Sequence, residues 1–144
     1  MKGNKRRSKK YKVIKSIDKR LIIKKIESFL QNREEILFSY IFGSFSENEF
    51  FNDIDLALYV DEKNQITKNP WYEIELSNSL EEILEIPVDI INLNRASDAL
   101  VYRASKGILV KNNEMRLNYL ITRWKKFFDF KPKIQEYIKV IKNG

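Results

Sequence analysis

Two apolar runs, "ILFSYIF" at Ile36–Phe42 and "IDLALYV" at Ile54–Val60, flank a Gly-Ser pair and an Asp-x-Asp, and no other feature of the chain constrains the fold as tightly. Runs of this length, rich in β-branched and aromatic residues and bounded by Gly43, suit buried strands. In a strand, residues two apart share a face and lie about 6.5–7 Å apart along it. Asp53 and Asp55 therefore stand side by side, while Ile54, Leu56 and Leu58 point the other way.

Two unpaired carboxylates buried together would cost several kcal/mol through repulsion and desolvation. Water or a cation must sit between them, and magnesium is the natural candidate. It prefers oxygen ligands, commonly takes one or two carboxylates and fills its shell with water and substrate phosphate. Two such ions about 3.5–4 Å apart can hold the attacking and leaving oxygens of a phosphoryl group in line. Asp89, in "PVDIINL", opens another apolar strand and supplies a third carboxylate if that strand neighbours the first two. Gly43 lets backbone approach a phosphate, "SFSENE" can open a short helix, and Ser44 adds a hydroxyl donor. An isolated Asp-x-Asp is often only a polar strand entrance. The combination, with apolar strands on both sides, is what points to phosphate chemistry.

Composition narrows the chemistry further. The chain of 144 residues contains no histidine and no cysteine, which excludes imidazole bases, Ser-His-Asp hydrolysis, disulfides and thiolate metal sites. At 43% hydrophobic it is long enough for one domain with its own core. Its apolar runs fall far short of the roughly 20 residues that span a bilayer, and the basic start precedes no secretory segment, so a cytoplasmic protein is expected. The net charge of +7 is uneven: residues 1–20 hold ten Lys or Arg against Asp18 alone, leaving the remainder slightly acidic. Residues 1–15 are expected to form a basic flexible segment, and nucleic acid is a possible partner only there. Residues 16–144 are expected to form the single domain.

Apolar spacing predicts an amphipathic helix from Ser16 to Asn32. After the second strand, Asn69 and Pro70 suggest a helix start, with Trp71, Ile74, Leu80, Ile83 and Leu84 able to share a face. A strand follows at Pro87 to Leu93, then a helix in "SDALVYRASKG" closed by Gly107, and a short strand "ILV". The C-terminus reads as helical, from Glu114 to about Phe128 and from Pro132 to about Lys142. In the first of these helices Leu117, Leu120, Ile121, Trp124 and Phe128 form the buried stripe, with the lysines outside. The order gives an α/β (α+β) fold, a small mixed sheet with packed helices. Arg95, Arg103 and Lys106 all fall near strand or helix ends where one could meet a phosphate, and spacing does not choose among them.

These residues resemble the DNA polymerase β-like nucleotidyltransferase superfamily, and within it the minimal nucleotidyltransferases (the MNT or MntA type). Gly43, Ser44, Asp53, Asp55 and Asp89 match the Gly-Ser, Asp-x-Asp and later aspartate of that signature, and the likeness covers nearly all of the chain after residue 16. The resemblance implies transfer of AMP from ATP with release of pyrophosphate. Gly43 and Ser44 would hold the triphosphate, Asp53 and Asp55 would carry magnesium, two ions in all, and Asp89 would serve as third ligand or as base toward the acceptor. It further implies an antitoxin that adenylylates a tyrosine of a HEPN-type ribonuclease toxin and forms a hetero-oligomer with it. Two alternatives share the same residues: an antitoxin acting by binding alone, and an aminoglycoside-type small-molecule nucleotidyltransferase. The chain departs from the family where a basic residue and a glycine often follow the Gly-Ser; here Phe45, Ser46, Glu47 and Asn48 stand, and the spacer to Asp53 is short.

Overall fold

The computed structural model describes residues 12–13, 16–129 and 139–142. Its elements are β1 (Lys12–Val13), α1 (Ser16–Gln31), β2 (Ile36–Phe42), α2 (Ser44–Glu47), β3 (Phe50–Phe51), β4 (Ile54–Val60), a 3-10 turn (Gln65–Lys68), α3 (Tyr72–Leu84), β5 (Val88–Asn92), α4 (Asp98–Ser105), β6 (Ile108–Lys111) and α5 (Arg116–Phe127). Residues 139–142 are also helical. The rest of the expected last helix, and the basic segment before Lys12, lie outside the described residues.

The main sheet has the order β5-β4-β2-β6 and is mixed: β4 and β5 run parallel, the other pairs antiparallel. A second ladder pairs β1 with β3. Helices cover both faces of the main sheet. On one side Ile26 and Leu30 of α1 and Leu76, Leu80 and Leu84 of α3 pack on Ile54, Leu56, Leu58 and Val60 of β4. On the other, Val101 and Ala104 of α4 and Leu120 and Trp124 of α5 pack on Phe38, Tyr40, Phe42 and Ala57. The period-two alternation of β4 separates these cores and assigns Asp55 to the side of Ala57, facing α4.

Three local expectations need correction. Asn69 does act as a cap, but within the turn before α3: its side chain accepts the Trp71 amide at 3.0 Å and its carbonyl the Tyr72 amide, so the helix starts at Tyr72. The buried stripe of α3 is Tyr72, Leu76, Leu80 and Leu84, whereas Trp71, Ile74 and Ile83 are exposed. Spacing by four carries this stripe along one side, and the Tyr72 hydroxyl anchors it by donating to buried Glu35 at 2.8 Å. Gly107 is not a left-handed cap; α4 ends at Lys106 in right-handed conformation. A side chain at 107 would overlap the Ile41 carbonyl and Phe42, so glycine is needed for the close passage beside β2. The α5 stripe is as expected, with Leu120, Trp124 and Phe128 buried and Leu117 and Ile121 packed beside them.

Candidate active site

Strand register creates the acidic cluster. Asp55 is the Cα partner of Phe42 across the antiparallel β2–β4 pair and of Asp89 across the parallel β4–β5 pair. Asp55 and Asp89 are therefore neighbours on one face, and Asp53 joins them from the turn before β4. One carboxylate oxygen from each of the three lies within 4.8 Å of the others. Asp53 and Asp55 are half-buried and Asp89 is exposed, on the strand that forms the edge of the sheet.

Gly43 follows β2 directly beside this cluster. Its backbone, at φ 76° and ψ −152°, occupies a region open essentially to glycine alone. A side chain there would also overlap Asp55 Oδ2. The sharp turn launches α2, whose first turn is closed on the Gly43 carbonyl by the Ser46 and Glu47 amides, both at 3.1 Å. The amides of Ser44 and Phe45 open the helix without intrahelical acceptors, as in any helix. Gly43 thus stands directly beside Asp55, and Ser44 opens α2 next to it.

The electrostatics follow from this crowding. Burial, then the charges of Asp53 and Asp89, push the Asp55 carboxyl up to about 6, with Arg103 pulling the other way. A cluster that repels its own charge and offers only oxygen donors suits a hard divalent cation. The donor set therefore fits magnesium.

Of the three basic residues left undecided by spacing, Arg103 is the one whose charge reaches the acids; its guanidinium lies 5.8 Å from the Phe42 ring centroid. Arg95 is held by Glu73 at 2.6 Å, and the Lys106 ammonium sits 5.1 Å from the Tyr102 ring. One contributor was missed by sequence reasoning altogether. Lys19 of α1 donates to the Phe45 carbonyl at 2.7 Å and to the Asn48 carbonyl at 2.5 Å, so it clamps the C-terminal end of α2. Its ammonium lies 5.2 Å from the ring of Phe45, the residue that follows the Gly-Ser pair. No local signal marks Lys19, because it lies 26 positions before its partner.

The profile of the family "Polymerase beta, Nucleotidyltransferase" matches residues 24–116. The chain belongs to this family. The matched span holds β2, the Gly-Ser turn, β4 and β5, and with them Gly43, Ser44, Arg103 and the three aspartates, whereas Lys19 precedes it. No curated protein sequence matches significantly. Among solved structures, a chain of the complex between the tri-AMPylated Shewanella oneidensis HEPN toxin and its MNT antitoxin is 21% identical, with 85% of this chain and 98% of that chain covered and a TM-score of 0.60. A chain of the MntA-HepT toxin-antitoxin complex is also 21% identical, covering 85% and 97%, with a TM-score of 0.58. A toxin-antitoxin structure with AMP-PNP is 22% identical over 83% and 97%, with a TM-score of 0.61. At these identities the likeness establishes a shared fold, the mixed sheet with packed helices of this nucleotidyltransferase family. Among the described residues, no helix is long and apolar enough to cross a membrane.

Proposed function

We propose that the protein is a magnesium-dependent protein adenylyltransferase of the cytoplasm, an antitoxin that transfers AMP from ATP to a tyrosine of a HEPN-type ribonuclease partner and forms a hetero-oligomer with it. The observation that carries this reading is the convergence of three carboxylates within 4.8 Å beside the Gly43 turn. The family match supports nucleotide transfer. The fold shared with the MNT–HEPN complexes, one of them tri-AMPylated and another containing AMP-PNP, supports the partner, the AMP group and the ATP substrate.

Asp53, Asp55 and Asp89 would hold magnesium, which when bound neutralises phosphate charge and aligns the reacting oxygens. The chain's own residues do the rest. The amides and hydroxyl around Gly43 and Ser44 hold the triphosphate against the acids, and Arg103 adds positive charge on the α4 side. Asp89, the most open of the three, faces the acceptor and takes its proton. The acceptor oxygen forms a bond to the α-phosphorus, the bond from that phosphorus to the bridging oxygen breaks, and pyrophosphate leaves. Cover from α4 and the edge position of β5 leave the acceptor an approach beside Asp89.

The test is transfer of label from ATP, with magnesium, to a HEPN partner encoded alongside. Wild type should label the partner, and Asp53→Ala and Asp55→Ala should each reduce labelling by at least about 100-fold, the scale of losing a main electrostatic contributor. Absence of label with wild type, or equal label with either variant, overturns the reading. Full protection of cells by Asp55→Asn would instead favour silencing by contact alone.

A further inference from the structure

Arg103 is set apart from the other arginines of the folded domain by what it does not bind. Of the five arginines after residue 32, four are held by polar partners: Arg33 by Glu35, Arg95 by Glu73, Arg116 by the Tyr40 hydroxyl and Arg123 by Asp98. Arg103 makes no hydrogen bond and no ion pair among the described residues. The residue is exposed, so the five N–H donors of its guanidinium are open to solvent.

Its position is nevertheless well defined. Val101 and Ala104, which flank it in α4, are fully buried against the sheet and fix the last turn of the helix there. The Phe42 ring, 5.8 Å from the guanidinium, gives the cation an aromatic surface to rest on. Phe42 is the Cα partner of Asp55, so the guanidinium stands over the β2–β4 pair at the register of the acidic cluster, on the face that Asp55 shares with α4. Its charge acts on Asp55 from beyond ion-pair distance. An oxyanion between the two can accept from the guanidinium while its other oxygens meet a cation held by the aspartates. Arginine suits that place, because its parallel donors match two oxygens of one phosphate.

We propose that Arg103 is a catalytic residue that donates to the non-bridging oxygens of the nucleotide's α-phosphate, both in the bound nucleotide and while the acceptor oxygen bonds to that phosphorus and pyrophosphate leaves. This rests on the reading of the site as one for nucleotide transfer. The choice among the three phosphates follows from the chemistry: the phosphorus under attack lies at the carboxylates, where the acceptor loses its proton, and Arg103 is the arginine whose charge reaches Asp55. A guanidinium fixed there is aimed at the oxygens whose charge must be stabilised during transfer, and it needs no rearrangement to act.

The experiment measures binding separately from transfer. Wild type, Arg103→Ala and Arg103→Lys are titrated in magnesium with AMP, with pyrophosphate and with ATP, and label transfer from ATP to the HEPN partner is followed for the same three proteins. Residue 103 is exposed, so melting temperatures should agree within about 2 °C. Arg103→Ala should weaken AMP by at least about tenfold, the low end for hydrogen bonds to a charged group, and leave pyrophosphate within about twofold. Transfer at saturating ATP should slow by at least about tenfold. Arg103→Lys, which keeps the charge and loses the fork, should fall between wild type and Arg103→Ala. A loss of pyrophosphate affinity instead, or AMP affinity equal in wild type and Arg103→Ala, overturns the assignment while the proposed function stands. AMP affinity lost with transfer unchanged overturns the catalytic role. The expected binding pattern with no label on the partner keeps Arg103 at the α-phosphate and removes the transfer reading, and failure of wild type to bind any of the three removes both.

Discussion

Asp55 shows how one residue links stability to the proposed chemistry. Its carboxyl is raised to about 6 in the folded protein, against roughly 3.9 for an unstructured aspartate. Between those values the native state holds more protons than the unfolded one, so stability falls as pH rises through the window from about 4 to about 6. The lost increment is roughly 1–2 kcal/mol after discounting for partial exposure. Asp55→Asn removes the charge, and in chelator it should melt above wild type at pH 7.5, with the difference vanishing near pH 4. Added magnesium should reverse the order, stabilising wild type and leaving the variant little changed. Thermal melts at several pH values, with and without magnesium, read both effects. An unchanged order on adding magnesium would remove the cation from these carboxylates. The pair Asp53 and Asp55 and their distant companion Asp89 were legible as a cluster in the sequence, because each opens an apolar strand. Their crowding against Gly43 was not, since it depends on which strands become neighbours.

At the scale of elements, the strands were readable because β2 and β4 are buried and the apolar residues of β5 pack against the cores on both faces, so their apolar runs have little alternative use. Helix α3 was harder. Apolar residues occur on two of its sides, and what selects between them is tertiary: Leu76, Leu80 and Leu84 meet the sheet, while Tyr72 reaches Glu35, 37 positions earlier. The short α2 presents the same problem in reverse. Four residues give it no helical stability of its own, so the shape of the phosphate turn depends on partners elsewhere. Lys19 is one of them, a cation placed on the carbonyls at the C-terminal end of α2. It acts through the turn and is expected to be a positioning residue. Lys19→Ala should raise the KM for ATP by about tenfold with a smaller change in kcat, and cost about 1.5–3 kcal/mol of stability, the range for hydrogen bonds that involve a charged group. Lys19→Arg, which keeps the charge and the donors, should recover most of the KM. Steady-state kinetics beside denaturant melts separate the two effects; a stability loss with no change in KM would make Lys19 purely structural.

Across the whole molecule the two ends of the sheet do different work. At one end β2 finishes and β4 and β5 begin, and there Gly43, the three aspartates and Gly107 gather. At the other end β2 begins and β4 finishes, and polar ties hold the layers together. Glu35 accepts the Tyr72 hydroxyl and lies 3.7 Å from Arg33, its carbonyl accepts the Asp61 amide, and Lys111 donates to the Leu30 and Arg33 carbonyls. These contacts join the turn after α1, both central strands, α3 and β6. Burial and the hydrogen bond to Glu35 push the Tyr72 hydroxyl well above the usual tyrosine range, so it remains a donor throughout the working pH range. Tyr72→Phe leaves the buried Glu35 carboxylate without that donor and should cost about 1–3 kcal/mol, or roughly 3–9 °C in melting temperature. Because the tie lies at the end of the sheet away from the acids, the kcat and KM of label transfer at 25 °C should change by less than about twofold. Asp55→Asn should show the opposite pattern, lost transfer with equal or greater stability in chelator. Measuring melts and transfer rates for Tyr72→Phe, Asp55→Asn and the double variant tests the separation directly. Additive stability changes would mean that the two ends are energetically independent, while a coupling above about 0.5 kcal/mol would mean that strain at the acidic end is carried through β2 and β4 to the Glu35 tie.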